Sequence, residues 1–207
     1  MNPLDDAVLK GALDDFLRQP TTLDRIKWWL RFAHSNERWV QFEYGYHLNG
    51  RVGPQYIVGC ERKYVDLAIY SRQNAKLPFS RNEPAAKIEL KVQGNWYTKE
   101  ENFVGTKKDR KKIREVTDCP AMALVLWFYA VPTAANRECH WISEQVAKDV
   151  KCGLAVDVPQ NMLQLLRSEC DEAFFEIADL PIDDSDFAEL RVSLYGYRNA
   201  FAQQALS

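Results

Sequence analysis

Between Pro120 and Pro132 lies an unbroken apolar run, Ala121-Met-Ala-Leu-Val-Leu-Trp-Phe-Tyr-Ala-Val131. A strand of this composition has no polar face to offer water, so it belongs at the centre of a sheet covered on both sides. A second stretch, Ala86-Lys-Ile-Glu-Leu-Lys-Val-Gln93, alternates charged and apolar residues at a period of two. As a strand it buries Ile88, Leu90 and Val92 on one face and holds Lys87, Glu89, Lys91 and Gln93 on the other. The preceding Tyr64-Val-Asp-Leu-Ala-Ile-Tyr70 repeats the pattern, with Val65, Leu67 and Ile69 on the apolar face and Asp66 turned the other way. A hairpin of these two strands would bring Asp66 beside Glu89 and Lys91.

Helical patterns surround these strands. Residues 3 to 18 read as a helix with Pro3 at its first position, Asp5 and Asp6 at its positive end, and Val8, Ala12, Leu13, Phe16 and Leu17 on one stripe. Thr21-Thr-Leu-Asp24 has the form of a capping box for a second helix, and Trp39 to Leu48 continues helically until Asn49-Gly50 stops it. Gln55 to Gly59 is a short strand, and residues 71 to 85, with two prolines and two asparagines, form a long loop. Residues 105 to 117 carry six bases against two acids around Ile113 and Val116, which predicts a helix with one basic face. Glu144 to Lys151, Pro159 to Ala178 and Ser185 to Gln204 read as three further helices. The expectation is an α/β fold, a mixed central sheet flanked by helices, with additional helices at both ends of the chain.

At 207 residues the chain fits a single domain, 1–207, with a core that needs no staples. No run of about 18 apolar residues occurs and the acidic start, Met-Asn-Pro-Leu-Asp-Asp, has no signal-peptide pattern, which predicts a cytoplasmic protein with no membrane partner. Five cysteines without a Cys-x-x-Cys pair, and only three histidines, predict reduced and mostly buried thiols in place of a zinc site. The formal net charge of −2 conceals an asymmetry: residues 157 to 190 hold ten acids against Arg167 alone, so the rest of the chain is net basic. That division predicts a basic working region and an acidic appendage.

An acid, any residue and a lysine occur in that order at Glu61, Glu89, Asp109 and Asp149. Glu89 alone is flanked by buried-type residues and preceded by an aspartate-bearing strand. Glu43 stands within an aromatic helix, where a carboxylate is costly unless exposed, paired or bound to metal. The order of Glu43 on a helix, Asp66 on one strand, Glu89-Leu-Lys91 on the next, then a Lys-Asp-Arg-Lys-Lys-Ile helix and an apolar strand, resembles the PD-(D/E)XK nuclease superfamily over roughly residues 36–131. Val65 stands where the proline of that motif would be. The resemblance implies a restriction-endonuclease-like core at about 36–131, an N-terminal helical extension at 1–35 and an acidic helical C-terminal region at about 141–207. It also implies Mg²⁺-dependent cleavage of phosphodiester bonds, most often in DNA, with Mn²⁺ as a substitute.

By that resemblance Asp66 and Glu89 would hold the metal, the Leu90 carbonyl would add a contact, and Glu43 would bind directly or through water. Lys91 would orient or deprotonate the attacking water, and Gln93 would position substrate. Lys107, Lys108, Arg110, Lys111, Lys112 and Arg114 would contact the nucleic-acid backbone. A homodimer or a partner protein fits an enzyme that cuts both strands. The alternative is a catalytically inactive module of the same fold that binds nucleic acid or a protein partner.

Overall fold

The computed structural model describes residues 2–32, 37–62, 65–73, 83–94, 99–133, 135 and 158–204. Three helices come first, α1 (Asp6–Leu17), α2 (Pro20–Phe32) and α3 (Glu37–Arg51), then three strands, β1 (Tyr56–Arg62), β2 (Val65–Ser71) and β3 (Ala86–Gly94). The helix α4 (Lys99–Glu115) leads to β4 (Ala121–Pro132), and the helix α5 (Val158–Glu169) to β5 (Phe175–Pro181), β6 (Phe187–Arg198) and a short α6 (Ala200–Gln204). The strands form one mixed sheet in the order β1-β2-β3-β4-β6-β5. β1, β2 and β3 run as an antiparallel meander, β3 and β4 are parallel across α4, and β6 is antiparallel to both β4 and β5.

The apolar run at 121–131 does what its composition requires. Met122, Leu124, Leu126 and Phe128 face one core, shared with Ile88, Leu90 and Val92 of β3 and with Leu13, Phe16, Val40 and Tyr44 of α1 and α3. Ala123, Val125, Trp127 and Tyr129 face the other, closed by Phe103 and Ile113 of α4 and by Met162 and Leu166 of α5. The sheet is therefore the middle of three layers, a mixed sheet flanked by helices. Asp5 caps α1 through its side chain to the Ala7 N–H at 2.9 Å, so this helix starts later than Pro3 suggests. Tyr44 on α3 donates its hydroxyl to the Leu9 carbonyl at 3.1 Å and locks α3 onto α1.

The C-terminal region departs from expectation. Of the helix expected at Pro159–Ala178 only Val158–Glu169 forms. Asp171 then turns the chain, its side chain accepting from the Ala173 N–H at 3.0 Å and its carbonyl from the Phe174 N–H at 3.2 Å, and β5 follows. The stretch expected as the helix Ser185–Gln204 is the strand β6 and then α6. Its period is two: Leu190, Val192 and Leu194 enter the first core while Tyr195 and Tyr197 enter the second. Gly196 suits this strand because a Cβ there would lie 2.9 Å from Ile177 Cδ1 and 3.0 Å from Phe175 Cζ on β5. The acidic C-terminal region thus supplies two strands of the main sheet, which extends past residue 131. The helix expected at Glu144–Lys151 and most of the loop expected at 71–85 lie outside the described residues. Cys119 and Cys170 are buried thiols and Cys60 is half-buried. Among the described residues no helix is long and apolar enough to cross a membrane.

Candidate active site

The site forms where β2 and β3 stop pairing. Their ladder runs Ile69↔Ala86, Ala68↔Lys87 and Leu67↔Ile88, and the same register sets Asp66 opposite Glu89. Beyond that point side chains complete the edge of β3. Asp66 Oδ2 accepts from the Leu90 N–H at 2.8 Å, Gln41 Nε2 donates to the Leu90 carbonyl at 3.3 Å, and Glu37 Oε1 accepts from the Val92 N–H at 3.3 Å. Glu37 and Gln41 are one helical turn apart on α3, so the first turns of that helix close the gap left by β2.

On the polar face of β3 three consecutive outward positions meet three different partners. Glu89 is only 2% exposed, and its Oε2 accepts from Lys112 Nζ of α4 at 3.2 Å. Its Oε1 is buried without a donor among the described residues. Lys91 Nζ lies 2.9 Å from both carboxylate oxygens of Glu37. Gln93, buried, donates through Nε2 to Thr106 Oγ1 of α4 at 2.9 Å. Gly105 lets α4 come this close, since a Cβ there would stand 2.8 Å from Lys91 Cε.

Asp109, on the same side of α4, completes the group, with Lys112 Nζ 3.5 Å from its Oδ1. Four carboxyls, Glu37, Asp66, Glu89 and Asp109, thus gather around two ammonium groups. Burial, then the charge of Asp66, pushes the Glu89 carboxyl far above the usual carboxylate range. Burial likewise raises Asp66 and Asp109, although the Leu90 N–H draws Asp66 partly back. Burial pulls Lys112 down, but Glu89, Asp109 and Asp66 outweigh it and hold the ammonium charged.

Asp66 and Glu89 come together, as the hairpin predicts, while the Lys91 ammonium, on the same face of β3, turns to Glu37. Leu90 joins them through its backbone, its N–H to Asp66 and its carbonyl to Gln41. Glu43 does not: its carboxylate accepts from Arg25 of α2 at 3.2 Å, and the α3 carboxylate beside Lys91 is that of Glu37. Glu43 stands among aromatic neighbours that make its carboxylate conspicuous in the sequence, whereas the carboxylate that reaches β3 is in the first turn of the same helix. Gln93 is on the expected face but anchors α4 and does not open to solvent. The basic helix divides. With Ile113 against the sheet, Gly105, Asp109 and Lys112 turn toward the carboxyls, and Lys107, Arg110, Lys111 and Arg114 turn toward α5. Lys108 is exposed. Four of the six bases thus share the one basic face expected of this helix while Lys112 faces the carboxyls, and Asp109, three residues before Lys112, is a site residue that its tripeptide pattern alone does not distinguish.

Among the described residues no group of three His, Cys, Asp or Glu side chains is close enough to hold a metal as it stands. The Asp66–Glu89 pair fits a hard divalent cation in another way. Mg²⁺ takes one or two protein carboxylates and fills its octahedron with water, and the buried, donorless Glu89 Oε1 is an oxygen in need of a cation or a proton. No protein-family model, no curated protein and no solved structure matches the chain.

Proposed function

We propose that the protein is a metal-dependent nuclease that hydrolyses phosphodiester bonds in nucleic acid, most often DNA. The observation that carries this reading is the pairing of Asp66 with Glu89 at the split between β2 and β3, with a Glu89 oxygen buried without a partner among the described residues and Lys91 next on the same strand face. The chain order of helix, three antiparallel strands, helix and parallel strand supports it as well. Asp66 and Glu89 would hold Mg²⁺, or Mn²⁺ in its place, with the Leu90 carbonyl as a further oxygen. When bound, that ion would neutralise phosphate charge and supply hydroxide near neutral pH.

The protein groups have distinct tasks. The Lys91 ammonium, positioned by Glu37 and held along its stem by the close approach of α4 at Gly105, orients the attacking water and offsets charge in the transition state. Glu37 and Gln41 act through Lys91 and the β3 backbone, as positioning residues. Lys112 compensates Glu89 while no divalent ion is present, and its half-exposed side chain, 52% accessible, is free to move to solvent or to a phosphate. Supercoiled plasmid incubated with Mg²⁺ or with EDTA tests the reading. Nicking that needs the ion and falls by about 10² or more in Glu89→Gln and in Lys91→Ala is the expected result. Equal cutting in EDTA, or full activity in both variants, would reject it.

The second reading, a module of this fold that binds without cutting, is favoured by one observation. Both lysines of the site are engaged with its own carboxylates, Lys91 with Glu37 and Lys112 with Glu89. Salt-sensitive binding with no cutting in any divalent ion would select it.

A further inference from the structure

Along α4, Lys107, Arg110, Lys111 and Arg114 fall at i, i+3, i+4 and i+7 and so share a face. That face borders a cavity of about 580 Å³ closed by the end of α5, where these four cations meet two acids, Glu115 and Glu169. The lysines are held loosely and Arg110 more firmly. Lys107 stands 3.5 Å from Glu169, Lys111 4.0 Å from Glu115, and Arg110 3.5 Å from Asp171. The two lysine pairs are exposed and of a kind that adds little stability, whereas Arg110 and Asp171 are mostly buried. Arg110 is the best oriented, since its Nη2 donates to the Cys170 carbonyl at 3.0 Å and its guanidinium lies 5.9 Å from the Tyr197 ring centroid. Among the described residues no aromatic ring lines the cavity, so what they offer there is charge and no surface on which a base could stack.

We propose that this cavity is an anion site that grips the phosphodiester backbone of a nucleic acid at phosphates other than the one attacked. The identity of the anion rests on the nuclease reading. At 1.5 Å per residue the four cations span about 10 Å of helix, the rise of about three base-pair steps measured along a duplex axis. A strand gripped here is separated from the Asp66–Glu89 pair by the width of α4, so one helix both measures the distance between the two sites and carries residues of each. The grip reads backbone and not bases, and it contributes affinity without sequence preference.

Anisotropy of labelled duplex and single-stranded oligonucleotides in EDTA, over a series of salt concentrations, tests the site with no cutting to confuse it. Lys111 and Arg114 are exposed, so the double variant Lys111→Ala/Arg114→Ala is expected to fold like the wild type. It is expected to bind at least ten-fold more weakly, with a log–log salt slope shallower by about 2 on duplex, close to 0.9 per lost contact. Lys108→Ala removes one positive charge from the same helix outside the cavity and is expected to cost much less than half of that loss. Wild-type affinity and slope in the double variant would overturn the site, as would an equal loss in Lys108→Ala or the absence of salt-dependent binding by the wild type. Plasmid cleavage in Mg²⁺, run in parallel, separates this from the underlying reading. Binding that needs the cavity without any cutting keeps the anion site and removes the nuclease, and cutting with unchanged binding in the double variant does the reverse.

Discussion

Glu89 is the residue at which stability and the proposed chemistry pull in opposite directions. The folded chain surrounds its carboxyl with apolar strand and a second carboxyl, and the single ammonium of Lys112 does not offset both. Its affinity for a proton in the fold exceeds that in the unfolded chain, so the neutral form is the stabilised one. The stability this gives is present below the ordinary value of 4.5 and is lost as the pH rises through the folded value, near 8. Asp66 and Asp109 are raised too and act in the same sense, whereas Asp15 and Asp118, lowered by Arg51 and Lys87, have made their contribution once the pH is above their ordinary 3.8. In EDTA the melting temperature is therefore expected to fall between about pH 5 and pH 8, and Glu89→Gln to flatten much of that slope. An unchanged slope in Glu89→Gln would place the titration elsewhere. A divalent ion that takes the place of the proton would flatten the same slope in the wild type.

At the scale of elements, Asn199 shows how the C-terminal strand is tied in. Its Oδ1 accepts from the Ala121 N–H and the Ala202 N–H, both at 2.9 Å, and its Nδ2 donates to the Val116 and Cys119 carbonyls, both at 3.0 Å. One buried amide thus joins the end of β6, the start of α6, the start of β4 and the turn after α4. Asn199→Ala leaves up to four backbone groups without a partner and is expected to cost about 2 to 4 kcal/mol, read as a shift in the urea midpoint at constant m-value. A loss below about 0.5 kcal/mol would mean that water replaces the amide. None of this was visible in the sequence, where Asn199 is one polar residue after a Tyr-Arg pair. What was visible had a strong local signal: the apolar run of β4, the alternation in β2 and β3, and the Asp66–Glu89 pair that these strands bring together. β5 and β6 were missed because their acids and Gly196 masked a period of two, and because Asp171, without a glycine or proline beside it, gave little warning of a turn. The Glu37 contact was missed for a different reason. Which carboxylate of α3 reaches Lys91 depends on how far the helix N-terminus projects past β2, and helical spacing alone does not supply that.

For the whole molecule the charge asymmetry takes a meaning other than that of an appendage. Five acids of this region are built in: Asp184 and Asp186 hold Lys27 of α2 at 2.9 and 2.7 Å, Asp179 holds Arg191 on the neighbouring strand, and Glu169 and Asp171 face Lys107 and Arg110. They serve as counter-charge for a basic chain, and they stand on or beside elements that complete the sheet and its cover, so the region is no detachable appendage. Removing everything after Thr133 would strip Val192 and Leu194 from one core and Met162, Leu166, Phe174 and Tyr195 from the other. It would also turn β4, apolar on both faces, into an open edge, the arrangement most prone to pair with other chains. A chain of residues 1–133 is therefore expected to aggregate, or to remain in solution without a cooperative thermal transition, while the full chain melts as one unit. The measurement is a thermal melt by circular dichroism together with sedimentation of both chains. A soluble 1–133 chain melting cooperatively within a few degrees of the full protein would show that the first four strands are a self-sufficient core and that β5 and β6 are an addition to it. Loss of the transition would place residues on both sides of the 134–157 segment in one folding unit, with the candidate site dependent on strands that lie outside its own motif.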